Sequence, residues 1–177
     1  MKKVTAIIGS LRKDSINRQL FNNYKKLAKD SFILEEGSIS EIPLYNQDLE
    51  NEPAAVSNLA TQIAESDGLI FFSPEYNYSI PGVLKNAIDW LSRSNLKPFD
   101  GKLAAVIGGS PGNIGTARMQ YHLRQVSVFL NLQFLNKPEV MVGKVFSKVE
   151  NGEISDQDTI DVFNKHIKVF AEKITSR

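Results

Sequence analysis

The chain has 177 residues, 42% of them hydrophobic and 23% charged, and a formal net charge of +1. This is the composition of a globular chain long enough for a sizeable core, and the near-neutral balance gives no electrostatic case for nucleic acid or an anionic membrane as partner. Cysteine is absent, which excludes disulfides, thiolate metal sites, cysteine nucleophiles and iron–sulfur clusters.

Val4 to Ile8 is apolar and β-branched and ends in Gly-Ser, which predicts a first strand. The run is too short for a signal-peptide core, no small-residue cleavage site follows, and no apolar stretch approaches membrane-spanning length, so a cytoplasmic location is expected. A helix is predicted from near Ser15, with Ile16, Leu20, Tyr24 and Leu27 on one face and Phe21 and Ala28 beside them. Phe32-Ile33-Leu34 opens a second strand, and Ile42 to Asp48 reads as a loop. Pro53 begins a second helix in which Val56, Leu59 and Ile63 share a face. Gly68 to Phe72 is a third, fully apolar strand. Val83 to Arg93 reads as a third helix with Leu84, Ala87, Ile88 and Leu91 as its buried stripe. Asn95 to Lys102 is a turn, and Leu103 to Ile107 is a fourth strand running into Gly108-Gly109-Ser110-Pro111-Gly112. The fourth helix carries Met119, Leu123, Val126 and Leu130 on one side. Phe134-Leu135 and Val140-Met141-Val142 supply a fifth, interrupted strand. A last helix runs from Asp156 to about Thr175, with Ile160, Phe163, Ile167, Phe170 and Ile174 on one face.

Strands and helices alternate throughout, with no repeat, low-complexity segment or linker. That pattern predicts an α/β fold: one three-layer α/β/α domain over residues 1–177, a five-stranded parallel sheet of flavodoxin-like order 2-1-3-4-5 with helices on both faces. Ligands of such sheets bind outside the carboxyl ends of the strands, where strand order reverses, between strands one and three.

The loops leaving those two strands carry the chemistry. Gly9-Ser10-Leu11-Arg12-Lys13-Asp14-Ser15-Ile16-Asn17-Arg18 leads into a helix N-terminus, where unpaired N–H groups and a partial positive charge suit an anion. Ser10, Ser15 and Asn17 add short donors, and Arg12 adds a charged fork suited to phosphate. The plainer alternative is that Ser15 only caps the helix and Arg12 is solvated. The segment is neither a Walker loop nor a dinucleotide fingerprint. Ser73-Pro74-Glu75-Tyr76-Asn77-Tyr78-Ser79-Ile80-Pro81-Gly82 is a proline-stiffened strand-to-helix loop that could hold backbone N–H and C=O groups beside a flat polar ring. A well-packed surface turn is the alternative there. The glycines of the 108–115 loop would let the backbone approach a ligand, with Ser110 as a donor, or would serve the turn alone. Glu75 is a conceivable general base, but no second carboxylate or histidine is placed by sequence to pair with it. His122 and His166 fall on predicted helices and read as surface or packing residues, and no metal-ligand spacing occurs. No side chain is marked as catalytic; a cofactor-shaped site with few acid–base groups fits a protein whose cofactor does the chemistry.

Gly9-Ser10-Leu11-Arg12-Lys13-x-Ser15-x-Asn17-Arg18, followed by Pro74-Glu75-Tyr76-Asn77-x-Ser79-x-Pro81-Gly82-x-Leu84-Lys85-Asn86-Ala87-x-Asp89-Trp90, resembles the NADPH-dependent FMN reductase family, which includes bacterial quinone, chromate and azo-dye reductases. Ile42 to Asp48 and Gly115-Thr116-Ala117-Arg118-x-Gln120-Tyr121 are similar to its members too, and position 14, often glycine in that family, is Asp14 here. The resemblance implies that Ser10, Arg12, Ser15 and Asn17, with the Ile16 amide, hold the FMN phosphate. It implies that Pro74, Glu75, Tyr76 and Asn77 lie along the isoalloxazine and that Gly109 and Ser110 close its other side. It further implies NADPH or NADH as co-substrate, a small-molecule electron acceptor, and a homodimer or homotetramer in which the Tyr45–Asp48 loop could reach a neighbour's flavin. The competing expectations are a flavodoxin-type electron carrier and a flavin-free sensor or scaffold on the same fold.

Overall fold

The computed structural model describes residues 1–49 and 51–176. The main strands are β1 (Lys3–Ile8), β2 (Ile33–Gly37), β3 (Gly68–Phe72), β4 (Leu103–Gly109), β5 (Gln133–Phe134) and β6 (Val140–Val142). The helices are α1 (Ile16–Ala28), α2 (Ala54–Glu65), α3 (Gly82–Leu91), α4 (Ala117–Phe129) and α5 (Gln157–Thr175). The sheet order is β2-β1-β3-β4-β5, all parallel, with β6 also pairing with β4. The fifth position is therefore filled by two short segments in succession, Leu103 and Ala104 opposite β5 and Ile107 to Gly109 opposite β6, as the interrupted pattern predicts.

Alternation along the buried strands divides the core. Ile70 and Phe72 of β3 face one layer, where Leu20, Phe21 and Tyr24 of α1 meet Phe163, Ile167 and Phe170 of α5. Leu69 and Phe71 face the other, against Val56, Leu59 and Ile63 of α2, Leu84 and Ile88 of α3, and Met119 and Leu123 of α4. Leu27 is the exception on α1: it lies at the edge of the apolar stripe and is 36% exposed. Boundaries shift by a residue or two. α3 ends at Leu91 rather than Arg93, and β4 continues through Gly108 and Gly109 because β6 pairs with them. Between β6 and α5 lies a hairpin absent from the sequence reading, β7 (Val149–Glu150) with β8 (Glu153–Ile154). Its turn is Asn151-Gly152, with φ of 50° and 84°, the dipeptide that favours a two-residue hairpin turn. No helix among the described residues is long and apolar enough to cross a membrane.

Under α5 the core holds a polar pair, with Tyr24 Oη 2.7 Å from His166 Nδ1. Both side chains are buried, and rings of Phe72 and Phe163 stand edge-on to Tyr24 at 5.5 and 5.3 Å. Burial, reinforced by the Arg124 charge, lowers the His166 pKa from 6.5 to about 4. The folded state thus prefers neutral imidazole, and its stability is fully present above pH 6.5 and is lost as pH falls towards 4. Complete expression of that difference is worth about 3 kcal/mol. Urea unfolding at pH 7 and pH 4.5 should show a fall of that order, and His166→Gln should remove this part of the pH dependence. An unchanged pH profile in the variant would mean that other groups carry it.

Candidate functional site

At the carboxyl edge of the sheet, the exits of β1, β3 and β4 are joined by continuing ladder bonds. Gly9 N–H donates to Phe72 O at 2.8 Å, and Ser73 N–H donates to Ile107 O at 3.0 Å. A Cβ on Gly9 would lie 2.5 Å from Ser73 Oγ, and one on Gly108 would collide with Thr116 Oγ1 and Ser73 O. Only glycine lets the three turns come this close. The two sequence-predicted loops are therefore neighbours, and the 109–116 loop flanks them.

The first loop ends in an anion-ready helix terminus. Ser15 is the residue before α1, and its buried hydroxyl makes no capping bond to the helix. The N–H groups of Ile16 and Asn17 have no acceptor among the described residues, as the first turn of a helix requires. Ser10, also buried, accepts a hydrogen bond from Arg12 N–H at 3.3 Å, so its own proton remains free to donate. The Arg12 guanidinium is exposed and paired with no carboxylate among the described residues. Arg18, by contrast, is turned away into a bidentate pair with Glu36 at 2.7 and 2.8 Å. That pairing raises its already high pKa, and the hydrogen bond is the main cause. The Asn17 side chain is not at the loop surface: it is buried and bonded in both directions to Gly109.

The second loop folds back as a tight turn. Tyr76 and Ser79 exchange N–H···O bonds of 3.1 and 3.0 Å, and Asn77 and Tyr78 between them have φ of 51° and 65°. A bulky residue such as Tyr78 is uncommon in that left-handed region, and Arg118 stacks over its ring at 4.0 Å. The N–H groups of Glu75 and Asn77 carry no protein acceptor among the described residues. Glu75 itself is engaged: its side chain, 9% exposed, accepts from Met119 N–H in the first turn of α4 at 3.1 Å and lies 3.4 Å from Arg118 Nη1. A carboxylate at a helix N-terminus is stabilised by the free amides and the helix dipole, so Glu75 braces the loop against α4. His122, one turn further along α4, hydrogen-bonds Ser79 Oγ at 2.8 Å. Arg118 and His122 were not marked as site residues from sequence, since nothing in their spacing shows that α4 lies beside the β3–α3 turn.

The third loop is closed upon itself. Ser110 Oγ donates to Gly115 O at 2.6 Å, and its N–H donates to Val142 O at 3.1 Å. Gly109 has both backbone groups committed to Asn17. These residues supply a wall rather than donors. The Ile42–Asp48 segment is fastened to α3 of its own chain: Pro43 O accepts from Asn86 Nδ2 and Trp90 Nε1, both at 2.8 Å, and Asn86 Oδ1 accepts from Tyr45 N–H at 2.8 Å. Leu44 remains 84% exposed. His166 lies in the core, away from the loops, and no group of three or more His, Asp or Glu among the described residues is placed to hold a metal.

Together these turns form a ledge at the sheet edge: at the α1 end, hydroxyls, one arginine and amides with no acceptor among the described residues, and at the α3 end a tight turn with two more such amides. Such a surface suits an anionic tail attached to a planar polar ring.

The family model for NADPH-dependent FMN reductase matches residues 2–147. A quinone reductase of Escherichia coli strain K12 is 46% identical, the alignment covering 97% of this chain and 95% of the relative. An NAD(P)H-dependent FMN reductase of Pseudomonas aeruginosa is 44% identical over 94% of this chain and 91% of its own length. Among solved structures, the flavoenzyme NAD(P)H:(acceptor) oxidoreductase FerB of Paracoccus denitrificans superposes with a TM-score of 0.91 at 34% identity, covering 99% of this chain and 98% of that one. Matched by the family model over most of its length and sharing more than 40% of its residues with these reductases, the chain belongs to the NADPH-dependent FMN reductase family.

Proposed function

We propose that one FMN lies across the exits of β1, β3 and β4 and that the protein uses it to pass hydride from NADPH or NADH to a quinone or a similar small electrophile. The observation that carries this reading is the pairing of two sets of unsatisfied donors on one ledge: Ile16 and Asn17 N–H at one end, Glu75 and Asn77 N–H at the other. FMN bound there supplies the two-electron chemistry that no side chain of the site offers.

The chain's part is to bind and orient. Ser10 and Ser15 donate hydroxyl protons to the phosphate, Arg12 adds a charged fork, and the Ile16 and Asn17 amides complete the cradle. Pro74, Glu75, Tyr76 and Asn77 hold the ring through backbone groups, whose fixed dipoles favour negative charge developing at its edge. Gly109 and Ser110 bound the other side. In this reading donor and acceptor use one open face of the flavin in turn, which predicts ping-pong kinetics. Assembly as a homodimer or homotetramer in the cytoplasm belongs to the same reading, with the exposed Leu44, Val128 and Phe129 as apolar surface for a partner copy. The curated relatives named as reductases, together with a net charge of +1, favour this over a flavodoxin-type carrier.

Anaerobic stopped-flow spectroscopy tests the function. NADPH alone should bleach the bound flavin, and a benzoquinone added afterwards should restore its colour without any second protein. Flavin that stays oxidised under NADPH would make the protein a carrier. Arg12→Ala should weaken FMN about thirtyfold, through loss of roughly 2 kcal/mol of charged hydrogen bonding, and leave riboflavin affinity unchanged; an equal loss for both would remove Arg12 from the phosphate. Glu75→Gln should keep turnover within a few-fold, because an amide oxygen still caps α4, whereas Glu75→Ala should cost about 1 kcal/mol of stability. A thousandfold fall in turnover of flavin-loaded Glu75→Gln would instead assign Glu75 to proton transfer.

A further inference from the structure

We propose that the Asn17 side chain is a positioning residue that fastens the phosphate end of α1 to the end of β4, acting on the ring end of the flavin site as much as on the phosphate end. The inference rests on the FMN reading above and assigns a role inside it.

Asn17 is fully buried. Its Nδ2 donates to Gly109 O at 3.2 Å, and its Oδ1 accepts from Gly109 N–H at 2.9 Å. The side-chain amide thus exchanges two bonds with one backbone residue 92 positions away, as two paired strand residues do. Gly109 is the last residue of β4 and pairs with Val142, and directly after it comes the loop that walls the ring end. The space a Cβ on Gly109 would need is taken by Leu20 Cδ1 at 2.8 Å. Leu20 lies one turn along α1 from Asn17, so a polar and an apolar contact from the same helix face lock onto the same glycine. A buried amide is tolerated only when its polar atoms find partners, and here the partners are the two groups of Gly109. Aspartate could not donate to Gly109 O, and alanine would leave both backbone groups of Gly109 without their partner. The backbone N–H of Asn17 meanwhile lies in the first turn of α1 and has no acceptor among the described residues. One residue therefore joins the two ends of the ledge: its amide belongs to the phosphate cradle and its side chain to the β4 exit.

This separates the side chain from a direct phosphate ligand, and riboflavin, which has the ring but no phosphate, reads the difference. Dissociation constants for FMN and riboflavin are measured on apoprotein for the unaltered chain, Asn17→Ala, Asn17→Asp and Arg12→Ala, well below each variant's melting temperature. Asn17→Ala should weaken both flavins by a similar factor, about tenfold, leaving their ratio intact, while Arg12→Ala changes the ratio. Loss of FMN affinity with riboflavin unaffected would place the side chain on the phosphate and overturn the proposal. A lowered melting temperature with both affinities unchanged would reduce Asn17 to a packing role and also overturn it. Should Asn17→Ala not fold, Asn17→Asp with riboflavin decides, since riboflavin carries no phosphate for the new charge to repel: weaker binding supports the fastening role, unaltered binding contradicts it. If the unaltered chain binds neither flavin, the FMN reading itself fails, which is a distinct result.

Discussion

The parallel ladder does not stop where the strands do. Gly9 N–H to Phe72 O and Ser73 N–H to Ile107 O carry the pairing of β1, β3 and β4 into their exit turns. Everything at the site depends on that continuation. It holds three loops from distant parts of the chain within contact of one another, and it explains why Gly9 and Gly108 have no side chain. The glycines answer first to protein packing; the room they give a ligand follows from it.

Around this junction the loops are braced by polar contacts between elements. Asn17 ties α1 to β4, Glu75 ties the β3–α3 turn to α4, and His122 with Ser79 repeats that tie one turn along. Gln120, on the same helix, donates to Val140 O and so holds α4 to β6. Each brace uses side chains, and beside them the backbone amides of Ile16, Asn17, Glu75 and Asn77 have no acceptor among the described residues. A site whose donors are already fixed loses little conformational freedom on binding. The side chains at these positions hold backbone still, in keeping with chemistry carried by a cofactor.

Much of this was legible in the sequence. Local periodicity marks the buried faces of α1, α3 and α5, and alternation of strands and helices gives the layer order. What periodicity could not give was pairing across the fold. The Asn17 side chain looks like a loop donor until Gly109 is seen beside it, and Glu75 looks like a free carboxylate until the first turn of α4 is placed against it. Arg118 and His122 were unreadable for the same reason. The β7–β8 hairpin is a different case: Asn151-Gly152 is a local turn signal, but the two-residue strands it joins are too short to show a pattern of their own. Leu27 shows the limit of helical patterning, since the last member of the predicted α1 stripe comes to lie at its partly exposed edge.

The central claim is that the turns leaving β1, β3 and β4 together hold a single FMN. A crystal structure of the protein grown with FMN tests it most directly. The account predicts phosphate density within hydrogen-bond distance of the Ile16 and Asn17 amides and ring density along Pro74 to Asn77. Flavin density at any other surface, or a phosphate out of reach of the α1 terminus, would contradict it.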